Sequence, residues 1–147
     1  MTIEHILLTT DFSEDARRAY APTTELAHSI GARITLLHLV PVLCKAPPEA
    51  AMAQPLVIGN LTAETGDAEL AIAKERELLE GVKVETSVVA ADTVANGVVE
   101  YARGNEVDLI AISSHGRSGI RRMVMGSVAE LILRHADVPV LCFPPKH

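Results

Sequence analysis

Aromatic residues are scarce: the 147 residues hold no tryptophan, two tyrosines and two phenylalanines, 3% in all. Hydrophobic residues nonetheless reach 48%, much of it alanine, valine, isoleucine and leucine. That mix suits a packed α/β domain and argues against disorder, which requires few apolar residues. Cysteine is nearly absent, and Cys44 and Cys142 form neither a CxxC pair nor a disulfide framework. Both read as small apolar residues of a reducing compartment. Positive charge is also in short supply, 13 Lys and Arg against 19 Asp and Glu, for a net charge of -6. Nucleic acid is therefore not an expected partner, since broad contact with it needs a dispersed basic surface. No apolar run reaches transmembrane length, so no membrane partner is expected. The opening "MTIEHILLTTDFSED" has no basic segment ahead of its short apolar run, which speaks against a signal peptide. A cytoplasmic protein of one domain, residues 1–147, is expected.

Apolar runs and helical patterns alternate along the chain. "IEHILLTT" (Ile3 to Thr10) reads as a first strand, and Asp11 or Ser13 can cap the helix after it. Ala16, Ala19, Tyr20, Thr23, Ala27 and Ile30 recur at helical spacing up to Gly31. Pro22 falls inside this pattern and crowds the carbonyl of Arg18, which predicts a bend. Ala32 to Val40 is the second strand, closed by Pro41. Prolines 47, 48 and 55 and Gly59 make Pro41 to Asn60 the one long loop candidate. Thr62 to Gly81 reads as a charged helix, with "KERELLE" (Lys74 to Glu80) as its solvated face. Val82 to Ala90 alternates as a strand. A helix capped by Asp92 or Thr93 follows, then the near-continuous apolar strand Val107 to Ser113. Ser127 to Ala136 is the last helix and Val138 to Phe143 the last strand. Strands alternating with helices predict an α/β fold: an open, doubly wound, parallel five-stranded sheet, order 3-2-1-4-5, with helices on both faces.

Ligands of such sheets bind beyond the carboxyl ends of the strands, where strand order reverses. That places Thr9, Thr10 and Asp11 opposite Ile112, Ser113, Ser114, His115 and Gly116. The second group opens "AISSHGRSGIRRMVMGSVAEL" (Ala111 to Leu131), a block with three glycines, three arginines and no acid before Glu130. Gly116 and Gly119 permit tight turns with N–H groups close to a ligand. Gly126 and Ser127 open a helix whose N-terminal amides and dipole favour an anion, and the Ser127 hydroxyl either joins them or caps the helix. Arg117, Arg121 and Arg122 lie between these anchors and can neutralise phosphate charge. Glycines after a strand also serve as plain turns, and exposed arginines are also simply solvated, so the pattern alone leaves both readings open. Neither GxGxxG nor a Walker A motif is present. The histidines show no metal-ligand spacing.

At these residues the chain resembles the universal stress protein family, over nearly its full length. The family's nucleotide-binding members carry G-x2-G-x9-G-[S/T]. Here the corresponding text is Ser113 to Gly116, nine residues, then Gly126-Ser127. "ILLTTDFSEDARRAY", "ITLLHLV" and "VDLIAISSHGRSG" are further likenesses. The resemblance implies an ATP site, with any Mg2+ carried by the phosphates. Asp11 matches the position that meets adenine, and Leu39 the one whose backbone reads the base. Ser113 and Gly116 match the glycines near ribose and phosphates, with His115 beside them. Gly126, Ser127, Val128 and Ala129 match the phosphate-holding helix start. Ser113 departs from the pattern, placing a side chain where the motif has none. The resemblance also implies a homodimer through the last strand, Val138 to Phe143. A nucleotide-binding regulator is the leading expectation. The alternatives are slow ATP hydrolysis or phosphotransfer, disfavoured because Ser113 to Glu130 offers no earlier carboxylate as base, and a nucleotide-free interaction module.

Overall fold

The computed structural model describes residues 1–42, 54–114 and 125–144, with the side chains of all of these except 54–62. Among the described residues five strands and five helices follow one another: β1 (His5–Thr9), α1 (Glu14–Arg17), α2 (Tyr20–Ile30), β2 (Arg33–Pro41), α3 (Gln54–Arg76), β3 (Val84–Ala91), α4 (Val94–Gly104), β4 (Leu109–Ser113), α5 (Ser127–His135) and β5 (Val140–Phe143). The sheet is parallel throughout, in the order β3-β2-β1-β4-β5. This is the expected 3-2-1-4-5 arrangement, with β3 and β5 at its edges.

Strand alternation sends side chains to two separate cores. Ile6, Leu8, Ile34 and Leu36 pack under α2 and α3 with Ala19, Tyr20, Ala27 and Ile72. Leu7, Leu37, Leu39, Ile110 and Ile112 pack on the opposite face with Val98, Ala102, Ala129 and Ile132 of α4 and α5. Burial on both faces explains the unbroken apolar text of β1 and β4. Cys142 is half-buried in β5, and burial pushes its thiol up, which fits a small apolar residue. Cys44 lies outside the described residues.

The first helix is interrupted ahead of Pro22, where a bend was expected, and not at Pro22 itself. Arg18 and Ala19 form a turn between α1 and α2, and the Ala19 N–H tightens onto the Ala16 carbonyl at 3.1 Å. Pro22 then falls in the first turn of α2, where a missing N–H costs no helix bond. Ser13 caps α1 by accepting the Ala16 N–H at 3.1 Å, and Thr93 caps α4 by accepting the Asn96 N–H at 3.2 Å.

Helix α3 departs from expectation at both ends. It begins at Gln54, inside the expected loop from Pro41 to Asn60; residues 43–53 lie outside the description. Pro55 sits in the first turn, where proline is tolerated, and Gly59 and Gly66 are absorbed at about 1 kcal/mol each. The helix ends at Arg76, and the N–H groups of Glu77, Leu78 and Leu79 bond three residues back in a tighter turn. Gly81 then takes the left-handed conformation, φ 83°. The stretch read as a solvated face is not uniformly so: Glu75 and Leu79 are buried, 6% and 5% exposed. No described helix is long and apolar enough to cross a membrane.

Candidate functional site

Crossovers leave β1 toward β2 on one side, while β4 lies on its other side, so the chain parts at the C-terminal ends of β1 and β4. A cavity of about 320 Å³ opens there. Thr9, Thr10 and Asp11 line it from β1, Leu39 from β2, and Ile112 and Ser113 from β4. Gly126, Ser127, Val128 and Ala129 line it from the start of α5. The topology thus brings together every expected site residue that the structure describes. His115, Gly116, Arg117 and Gly119, with Arg121 and Arg122, lie outside the described residues.

Leu39 owes its place to unequal strand lengths. The last β1–β2 pair is Thr9 with Leu37, and the Thr10 N–H bonds the Leu37 carbonyl at 2.9 Å. β2 continues to Pro41 along β3. Backbone groups alternate direction along a strand, so Leu39 turns its N–H and C=O the same way as Leu37, toward the side where β1 has ended.

Gly126 is required by shape. A Cβ built on it would stand 2.7 Å from the Ser114 carbonyl oxygen, a backbone atom that cannot swing away. Its own N–H donates to that oxygen at 2.8 Å, and the Ser114 N–H in turn bonds Phe143. Gly126 therefore fixes the entry of α5 against the end of β4, and its amide is spent internally. The first bond within α5 runs from the Glu130 N–H to the Gly126 carbonyl at 3.0 Å. Ser127, Val128 and Ala129 occupy the first turn, whose amides have no acceptor inside a helix. All three line the cavity, where the helix dipole favours negative charge. Ser127 is the first helical residue and does not cap α5; Gly126 holds the cap position without a side-chain bond.

The β1 corner is held in a costly conformation. Phe12 has φ 67°, a left-handed backbone that a bulky side chain adopts at about 1–3 kcal/mol. Its N–H donates to Thr10 Oγ1 at 3.0 Å, and the Ser13 N–H donates to Asp11 Oδ1 at 2.9 Å. The Ser13 hydroxyl meets the same Asp11 oxygen. His38 supports the corner from β2: its ring lies 4.3 Å from that of Phe12, and its Nδ1 contacts the Thr10 carbonyl at 2.8 Å. A carbonyl only accepts, so Nδ1 carries the proton.

A buried polar chain ties this corner to α3. The Thr10 hydroxyl donates to Tyr20 Oη at 2.6 Å, and Tyr20 donates to Glu75 Oε2 at 2.8 Å. Arg17 closes the chain with Nε and Nη2 on the Glu75 carboxylate, the latter at 2.7 Å. Burial raises the Tyr20 phenol, and Glu75 beside it adds to this, so Tyr20 stays a donor. Burial alone raises Glu75 as well, but the Arg17 and Tyr20 hydrogen bonds outweigh it and hold the carboxyl below its usual value.

Sequence reasoning did not single out Ala16, His38, Val94, Val98 and Ile132, which also line the cavity. Val94 and Val98 were legible in principle, because an i, i+4 apolar pair marks the inner face of a helix.

The fold and this cavity agree with a comparison of sequences: the pattern of the universal stress protein family matches residues 2–144. The chain belongs to the universal stress protein family. It is 30% identical over 138 residues to universal stress protein MJ0531 of Methanocaldococcus jannaschii, covering 92% of this chain and 79% of that protein. Among solved structures, the universal stress protein UspA of Lactobacillus plantarum matches with a TM-score of 0.82 at 22% identity, over 97% of this chain and 99% of its own. The universal stress protein of Archaeoglobus fulgidus solved in complex with dAMP matches with a TM-score of 0.61 at 21% identity, over 97% and 98%. At these identities the structural likeness establishes a shared fold.

Proposed function

We propose that this universal stress protein binds an adenine nucleotide, ATP with its magnesium ion, in the cavity between β1 and β4 and acts as a nucleotide-responsive regulator. One observation carries the reading: the first turn of α5 opens into a mostly apolar cavity at the switch point of the sheet. Val94, Val98 and Ile112 offer faces for a flat base. The Leu39 backbone and the Asp11 carboxylate stand where an adenine edge can be read, since its amino group needs an acceptor. Ser127, Val128 and Ala129 supply amides for phosphate. Any magnesium ion arrives with the nucleotide, carried mainly by the phosphates and water. The dAMP complex of the Archaeoglobus relative supports a nucleotide in this fold.

Calorimetric titration of ATP into the purified protein tests the reading. Saturable binding with Kd below about 1 mM is expected, lost in Gly126→Val. Absence of heat from millimolar ATP with the unaltered protein contradicts it.

The edge position of β5 supports pairing with a second copy. Val140 to Phe143 are only half-buried within one chain, and Leu131 and Leu133 on α5 are 42% and 40% exposed. Light scattering at micromolar concentration is expected to give twice the chain mass; a monomer mass contradicts the dimer.

A further inference from the structure

Gly97 is the fourth residue of α4 and does not line the cavity, yet its missing side chain shapes it. Helix interiors disfavour glycine, so a buried one there points to a close approach. A Cβ at Gly97 would stand 2.4 Å from Leu39 Cδ1 and 3.0 Å from Leu39 Cγ. It would also meet the Ala91 Cβ at 2.7 Å. Distances this short lie inside van der Waals contact. Gly97 is therefore a notch in the underside of α4, and the Leu39 side chain lies in it.

The core that Leu39 belongs to is closely filled. Leu7, Leu37 and Val98 of the same core are each fully buried, 0% exposed. Interiors packed to that degree do not yield to an extra carbon. The open volume beside Leu39 is the cavity itself, which Leu39, Val94 and Val98 help to line. A Leu39 side chain turned out of the notch has that space to enter.

We infer that Gly97 sets the depth of the ligand cavity by holding the Leu39 side chain in its notch, clear of the place where the base would lie. Gly97 is thus a positioning residue that acts on the ligand through Leu39. The inference rests on the nucleotide reading for the identity of the ligand, and on the packing alone for the notch. It also separates two uses of Leu39: its backbone faces the crevice left by β1, and its side chain decides how much of that crevice is open.

Four proteins test it: the unaltered chain, Gly97→Ala, Leu39→Ala and the double variant. Two readouts are taken. Carbon-13 shifts of the Leu39 methyl groups without ligand report the side-chain rotamer. Calorimetry with ATP as probe reports affinity. Gly97→Ala is expected to change the Leu39 rotamer and weaken ATP binding by about tenfold or more. In the Leu39→Ala background the same glycine change is expected to cost several-fold less affinity than in the unaltered chain, because only the Ala91 contact remains. An unchanged Leu39 rotamer in Gly97→Ala overturns the notch. Equal losses of affinity in both backgrounds overturn the route through Leu39. If the unaltered chain binds no ATP, the nucleotide reading and the ligand half of this inference fall together. The rotamer then still decides the notch.

Discussion

At the N-terminal end of the sheet, polar groups close on one another; at the C-terminal end they are held around an opening. His5, 3% exposed, places Nε2 2.7 Å from Thr35 Oγ1 and Nδ1 3.1 Å from the Asn105 carbonyl. Asp108 Oδ2 accepts the N–H groups of Glu4 and His5 at 2.9 and 3.0 Å, sealing the start of β1 against β4. At the other end, hydrogen bonds are used to hold a strained Phe12 backbone and to fix the first turn of α5 against Ser114. The same two strands, β1 and β4, therefore end in a plug below and a cavity above. Satisfied polar groups at the lower end stabilise the fold. The same kind of bond at the upper end holds the strand corner and the helix start that border the cavity.

The largest effect is expected from obstructing the upper end. Gly126→Val forces a Cβ onto the Ser114 carbonyl and is expected to cost about 2 kcal/mol of stability as well as ATP binding. Urea denaturation reads the first effect, and a stability equal to that of the unaltered chain would show that α5 enters with room to spare. A smaller effect is expected from Tyr20→Phe. It removes the hydroxyl that joins Thr10 to Glu75 and leaves a buried carboxylate oxygen without that donor, at about 1–2 kcal/mol. Because the chain ends on Thr10, ATP affinity should fall along with stability. A loss of stability with affinity intact would confine the network to a structural role.

The smallest effect belongs to the lower end and depends on pH. Burial, then the nearby Arg33 charge, lower the His5 pKa from its ordinary 6.5, outweighing the Asn105 and Glu106 carbonyls and Asp108. The unfolded chain thus takes up a proton that the native state resists, so this contribution is complete above pH 6.5 and declines as pH falls below it. His5→Gln is expected to lose less stability than the unaltered chain on going from about pH 7 to about pH 5. Equal slopes in urea titrations at the two pH values would remove His5 as the cause.

Much of this architecture was legible before the structure. Apolar runs set between helical patterns gave the five strands, Pro22 marked a disturbance of the first helix, and Ser13 and Thr93 were each one of two cap candidates. The start of α3 was not legible, because Pro55, Gly59 and Gly66 carry breaker signals that a first-turn position and tertiary packing override. The strand-end site residues followed from topology, since a parallel sheet with this order has one switch point. Glu75, by contrast, reads as one more charge in "KERELLE". Its partners Tyr20 and Arg17 lie 55 and 58 positions away, and local pattern carries no trace of such contacts. Gly97 is hidden for the same reason: only the approach of Leu39 from another element gives it meaning.

Amide NMR of the purified protein during titration with ATP tests the nucleotide site most directly, because it reports place as well as affinity. Saturating shifts centred on Asp11, Leu39, Ser113 and Ser127 to Ala129, with His5 and Asp108 at the far end unmoved, are the expected result. Shifts that do not saturate by about 5 mM ATP, or that spread over the surface away from these strand ends, would contradict it.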